Sequence, residues 1–316
     1  MRRIHDRGLR RSGMISQWII LAATAVVWLQ PAEARRERPE RPDYPDVTVQ
    51  RDLVYKTVGS GTLRLDLYSP QNVTQPLPLV VWIHGGGWRS GRKEQRPPIN
   101  LMAAGYVVAS INYRLSGEAP FPAQIEDCKA AIRWLRANAT AYHIAPDHIG
   151  AWGHSAGGHL SALLGTSGGV AALEGTGDNL SYSSRVQAVC DMSGPTDIVS
   201  LYEEVSKSER GSARRAKSFI EQFLGGSAEQ RMAIAKAASP MTYISKDDAA
   251  FLVIHGENDM SIPVSQSSAF VEALKAAGVD ATLEVAIGRG HGVGGPRYES
   301  VITNFFDKHL KTNRAH

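Results

Sequence analysis

A chain of 316 residues, 43% hydrophobic and 21% charged, is long enough for one large domain that buries roughly three-quarters of its unfolded surface. Its formal net charge of +4 lies mostly at the start: residues 1–34 carry five Arg against Asp6 and Glu33, which gives +3 and leaves +1 for the rest. A near-neutral body argues against a nucleic-acid partner.

Taken in order, the basic residues among Met1 to Arg11, the apolar core Trp18 to Leu29 and the triplet Ala32-Glu33-Ala34 read as a secretory leader cut after Ala34. Its apolar core falls short of the ~20 residues a bilayer crossing requires, so export is expected, to the periplasm or beyond, with no stable membrane anchor. Residues 35–46, rich in Arg, Glu and Pro, read as a disordered tether. Val47–Val58 and Thr62–Tyr68 predict an antiparallel hairpin about Gly59-Ser60-Gly61. Strands follow at Leu79–His84, Tyr106–Tyr113, His148–Gly153, Val186–Met192, Phe251–His255 and Thr282–Ile287, with helical stretches between them. This alternation predicts an α/β protein with a mostly parallel sheet, helices on both faces and reactive groups at the strands' carboxyl ends.

Two motifs sit at such ends. Gly153-His154-Ser155-Ala156-Gly157 joins a strand to a small-residue helix, and G-x-S-x-G in that setting is a nucleophile elbow. The glycines give room to a turn too sharp for side chains, and the turn lifts the Ser155 hydroxyl above the sheet edge. A serine is a poor nucleophile unaided, so a base, an acid and oxyanion donors are needed elsewhere. His84-Gly85-Gly86-Gly87-Trp88 follows an apolar strand. Its glycines can turn main-chain N–H groups toward a developing oxyanion. Gly86 and Gly87, with the N–H of Ala156, are the candidate oxyanion donors, and His84 is expected to brace the loop. No His, Cys or carboxylate cluster stands at metal-ligand spacing, and no cofactor is expected.

H-G-G-G-W followed by G-H-S-A-G-G-H-L resembles the α/β-hydrolase esterases, above all the secreted bacterial carboxylesterases related to feruloyl and acetyl-xylan esterase domains. Ile111-Asn112-Tyr113-Arg114-Leu115 and Phe121 to Asp127 also match, and the likeness runs over roughly residues 47–310. It implies an α/β-hydrolase fold and a Ser-His-Asp triad with acid and base following the serine in that order. His255 to Val264 is similar to the H-G-x-x-D-x-x-V-P segment that carries the acid in related hydrolases, so Asp259 is the candidate acid and Glu257 its rival. His291, on a loop after the final strand where the family's base belongs, is the candidate base.

Between Pro195 and Pro240 lie two predicted helices, Leu201–Lys207 and Ala213–Leu224. This insertion either overhangs the serine and shapes a substrate pocket or is an ordinary surface helix pair. Cys128 and Cys190, the only cysteines, could form a disulfide in an exported protein or stand as separate buried thiols. The expected activity is that of an exported serine carboxylesterase acting on short acyl, acetyl or feruloyl esters, small or polysaccharide-linked. A prolyl-oligopeptidase-like peptidase and a non-catalytic binding protein of the same fold are the alternatives. Against the peptidase, no propeller or large N-terminal domain is expected ahead of the catalytic part, and H-G-G-G-W favours esters.

Overall fold

The computed structural model describes residues 46–311. The leader expected over residues 1–34, and the tether over 35–46 apart from Asp46, lie outside the described residues.

Strand β1 (Val47–Val58) folds back on β2 (Gly61–Pro70) through the tight turn at Gly59-Ser60. Six more strands complete one sheet: β3 (Leu77–Ile83), β4 (Val107–Ile111), β5 (Ile144–His154), β6 (Ala188–Met192), β7 (Ala250–Gly256) and β8 (Ala281–Ala286). Their order is β1-β2-β4-β3-β5-β6-β7-β8; only β1–β2 and β2–β4 pair antiparallel. Every strand expected from the sequence is present, with ends displaced by up to a few residues. The largest displacement is at β5, where Leu77 pairs with Ile144 and starts the strand ahead of the apolar run.

The side-chain period of two divides the core. In β3, Leu79, Val81 and Ile83 enter one apolar cluster while Val80 and Trp82 enter another. The first cluster takes Ile125 of helix α1 (Ala123–Ala137) and Leu160 of α2 (Ala156–Thr166). The second takes Ile302 and Phe306 of a C-terminal helix, Pro296–Leu310. Both faces are therefore dry, which is why the parallel strands read as continuous apolar runs. Cys128 on α1 and Cys190 on β6 belong to opposite clusters, and both are free and buried. The sheet keeps them as separate thiols.

The insertion holds three helices: α3 (Ile198–Ser206), α4 (Gly211–Leu224) and α5 (Met232–Ala237). Asp197 caps α3 by accepting the N–H groups of Val199 and Ser200, and Gly225, with φ 73°, closes α4. The six-residue α5 carries no side-chain cap, so only packing marks it, through the fully buried Ala235. It is followed in the fold by α6 (Val264–Ala276), beside β7 and β8, and the C-terminal helix becomes α7. No helix among the described residues is long and apolar enough to cross a membrane.

Candidate active site

The parallel strands bring their carboxyl ends to one edge, and the sequence-singled residues meet there. Ser155 stands between β5 and α2 with φ 59° and ψ −123°, a backbone conformation a non-glycine residue holds only when its surroundings enforce it. They do so closely. A Cβ at Gly157 would lie 2.0 Å from the Ile83 carbonyl oxygen, and one at Gly153 would lie 2.3 Å from the Gly157 carbonyl. The motif's two glycines are thus required by close approach of three backbone segments. The Ser155 N–H donates to the Met192 carbonyl at 2.8 Å, which ties the turn to β6.

The glycine-rich loop leaves β3 alongside. Gly87 has φ 61°, and a Cβ there would lie 2.3 Å from the Phe219 ring of α4, so this stretch must be side-chain-free to pass beneath the insertion. Trp88 anchors it: the indole stacks on Phe223 and donates to His159 Nδ1 at 3.1 Å. His159 Nε2 in turn donates to the Ala238 carbonyl at 2.7 Å. Burial pushes the His159 ring down to about 4, only partly opposed by that carbonyl, so it stays neutral in the tautomer both contacts need. His84 is buried against Tyr113, 4.4 Å between ring centres, and its Nδ1 meets the Gly85 carbonyl at 2.9 Å. It braces the loop and reaches no reacting group.

Asp259 hangs from the end of β7 and receives three hydrogen bonds, with a second imidazole close by. Its Oδ1 accepts the N–H groups of Ser261 and Ile262 at 2.8 and 3.0 Å. Its Oδ2 lies 2.6 Å from His291 Nδ1 and 3.2 Å from His255 Nε2. Burial alone would raise this carboxyl, but the imidazoles of His255 and His291 outweigh it and hold the group well below the usual carboxylate range. Glu257 points away to solvent and accepts the Gly288 N–H at 2.9 Å. Geometry joins Asp259, and not its rival, to the histidine.

His291 completes the line, with Nε2 at 2.9 Å from Ser155 Oγ. Two neighbours whose roles the sequence did not disclose hold this arrangement. His154 Nε2 donates to the His291 carbonyl at 2.7 Å, fixing the loop rather than the ring; burial lowers the His154 pKa. His255 is locked by Ser267, whose hydroxyl meets Nδ1 at 2.6 Å, and by the Ile262 carbonyl 2.9 Å from Nε2. The placing of His154 directly before the nucleophile, and of His255 four residues before the acid, was visible in the sequence; their partners, more than a hundred residues away for His154, were not.

A cavity of about 380 Å³ opens over Ser155, His291, Gly86, Gly87 and Ala156, and the insertion roofs it with Leu201, Ala216, Phe219 and Ile220. The overhanging arrangement is the one found. A larger cavity of about 830 Å³, lined partly by Trp82, Trp152 and Tyr298, shares Gly86, Ser90 and His154 with the first. Among the described residues, no group of three or more His, Cys, Asp or Glu side chains could hold a metal ion.

The mostly parallel sheet, the elbow and the acid and histidine that follow it define an α/β-hydrolase. The BD-FAE family matches residues 65–274, and the chain belongs to that family. Esterase LipQ of Mycobacterium tuberculosis is 34% identical over 233 residues, covering 72% of this chain and 53% of that protein. The chain spans about half the length of the curated relatives it matches. Among solved structures, a truncated form of a carbohydrate esterase from gut microbiota superposes with a TM-score of 0.75 at 33% identity, covering 84% of this chain and 97% of that one. Thermogutta terrifontis esterase 2, phosphonylated by sarin, gives a TM-score of 0.70 at 27% identity, covering 84% and 96%.

Proposed function

We propose that this chain is an exported serine carboxylesterase that cleaves carboxylic esters through an acyl-enzyme, with Ser155 as nucleophile, His291 as general base and Asp259 as its orienting acid. One contact line carries the assignment: Ser155 Oγ to His291 Nε2 at 2.9 Å, and His291 Nδ1 to Asp259 Oδ2 at 2.6 Å. As Ser155 Oγ attacks the ester carbonyl carbon, its proton passes to His291 Nε2, and the ionised Asp259 stabilises the imidazolium through Nδ1–H. The carbonyl oxygen becomes an oxyanion facing the N–H groups of Ala156, Gly86 and Gly87. The Ala156 N–H opens α2 and has no partner within the helix, so it is available to donate to the oxyanion. Collapse breaks the carbon–oxygen bond of the ester, and His291 returns the proton to the departing alkoxide. Water then attacks the acyl-enzyme with the same histidine as base, releasing the acid and restoring Ser155.

Two cavities meeting beside the serine give separate room to the acyl and alcohol halves of an ester. The names of the relatives, an esterase and a carbohydrate esterase, support an ester substrate; short acyl, acetyl or feruloyl esters, free or on polysaccharide, are the proposed classes. Labelling with a fluorophosphonate probe and peptide mass spectrometry should find one modified residue, Ser155, together with loss of 4-nitrophenyl acetate hydrolysis. A label on another residue, or full activity after labelling of Ser155, would refute the assignment. Export is checked separately: N-terminal sequencing of secreted material should begin at Arg35.

A further inference from the structure

Helix α4 carries an exposed cation, Arg215, at the edge of the small cavity. Helix α4 turns Ser212, Ala216, Phe219 and Ile220 toward the cavity, a stripe at helical spacing, and Arg215 lines the cavity with them. An inward stripe normally carries apolar or small residues, as the other four are. Neighbouring cations are engaged elsewhere: Arg214 pairs with Glu209 at 3.5 Å, Lys217 lies over the Tyr202 ring at 5.2 Å, and Arg89 over Phe219 at 5.7 Å. Arg215 has no hydrogen bond, ion pair or ring contact among the described residues. No Asp or Glu lines the cavity, so the protein supplies no counter-charge within it.

A guanidinium presents a fork of donors that matches a carboxylate bidentately, and Arg215 faces solvent on one side and the cavity on the other. The acyl group stays bonded to Ser155 once the alcohol has left, and Ser155 lines this cavity but not the larger neighbour. We infer that Arg215 selects esters whose acyl chain ends in a carboxylate, that is, monoesters of dicarboxylic acids or comparable acidic acyl groups. This inference rests on the ester-hydrolase assignment above and narrows its substrate class. Arg215 is a specificity residue here, remote from the bonds that form and break.

The experiment compares monomethyl adipate with methyl hexanoate, acyl chains of equal length that differ by a terminal carboxylate, with 4-nitrophenyl acetate as control. Wild type should favour the adipate ester, and added salt should shrink that preference because the pairing is partly exposed. Arg215→Gln should lower kcat/KM for the adipate ester by about tenfold or more, as loss of a charge-assisted pair does. It should leave methyl hexanoate and 4-nitrophenyl acetate near wild type, and Arg215→Lys should restore part of the preference. The inference is overturned if wild type prefers methyl hexanoate, if it turns over only the nitrophenyl ester, or if Arg215→Gln moves both methyl esters equally. Failure to hydrolyse even 4-nitrophenyl acetate would instead overturn the ester-hydrolase assignment, and the inference with it.

Discussion

The ends of β6 and β7 lie side by side, and each carries an aspartate within the field of His255. At the end of β7, Asp259 collects three hydrogen bonds with the His255 ring beside it and is held ionised. At β6, Asp191 is completely buried; its Oδ1 accepts only the Gly194 N–H at 2.9 Å, and its Oδ2 has no partner among the described residues. Burial pushes this carboxyl up to about 7, with His255 and the Gly194 N–H opposing it. Adjacent strands thus give one acid a fixed negative charge and the other a proton that comes and goes near neutrality. Burial is common to both; the number of donors decides the charge. Only an acid with a stable charge suits the orienting role proposed for Asp259.

Substitutions should separate the two aspartates from each other and from the serine. Ser155→Ala sets the floor: kcat should fall by about 10⁶-fold, the scale of losing a serine nucleophile, with an unchanged circular dichroism spectrum. Asp259→Asn comes next, with kcat down about 10⁴-fold because the histidine loses its orienting partner. Glu257→Gln should leave the rate near wild type, and a collapse there would move the acid role to Glu257. Asp191→Asn should leave kcat close to wild type, since the side chain contacts no reacting group.

Its signature is thermal stability against pH. A buried acid raised from 3.8 to about 7 binds a proton more tightly in the folded state, so its contribution is present in full below pH 3.8 and is lost as pH rises to about 7. The melting-temperature difference between wild type and Asp191→Asn should therefore change across that window; a flat difference would show that Asp191 does not titrate there. A smaller effect of opposite sign belongs to His159. Its folded value of about 4 lies below the ordinary 6.5, so its contribution is intact above pH 6.5 and lost as pH falls toward 4. His159→Gln should flatten that acid limb in a series of melting curves. Smallest of all, Cys128 and Cys190 should stay silent to a thiol reagent until the protein unfolds, since burial also raises both thiols.

Much of the site was legible because it is local. A strand, a sharp turn and a helix lie within a dozen residues around Ser155, and the spacing of Gly153 and Gly157 records the steric demand directly. The loop at Gly86 and Gly87 is equally self-contained. Asp259 and His291 needed family likeness, because a loop histidine or an acid after a strand carries no local mark of its partner. The tethers His154 and His255, and the insertion's fit against Gly87, depend on contacts across the sheet edge that no window of sequence contains. Helix α5 was missed for a related reason: six residues without a cap leave packing alone to define them.

The link from Trp88 through His159 to Ala238 makes the roof and the floor of the pocket mechanically one object. Exchanging residues 195–240 for a relative's segment would loosen the glycine loop at Gly86 and Gly87 unless the graft kept a carbonyl where Ala238 now offers one. Side chains on the cavity-facing stripe of α4 can change without disturbing that clamp.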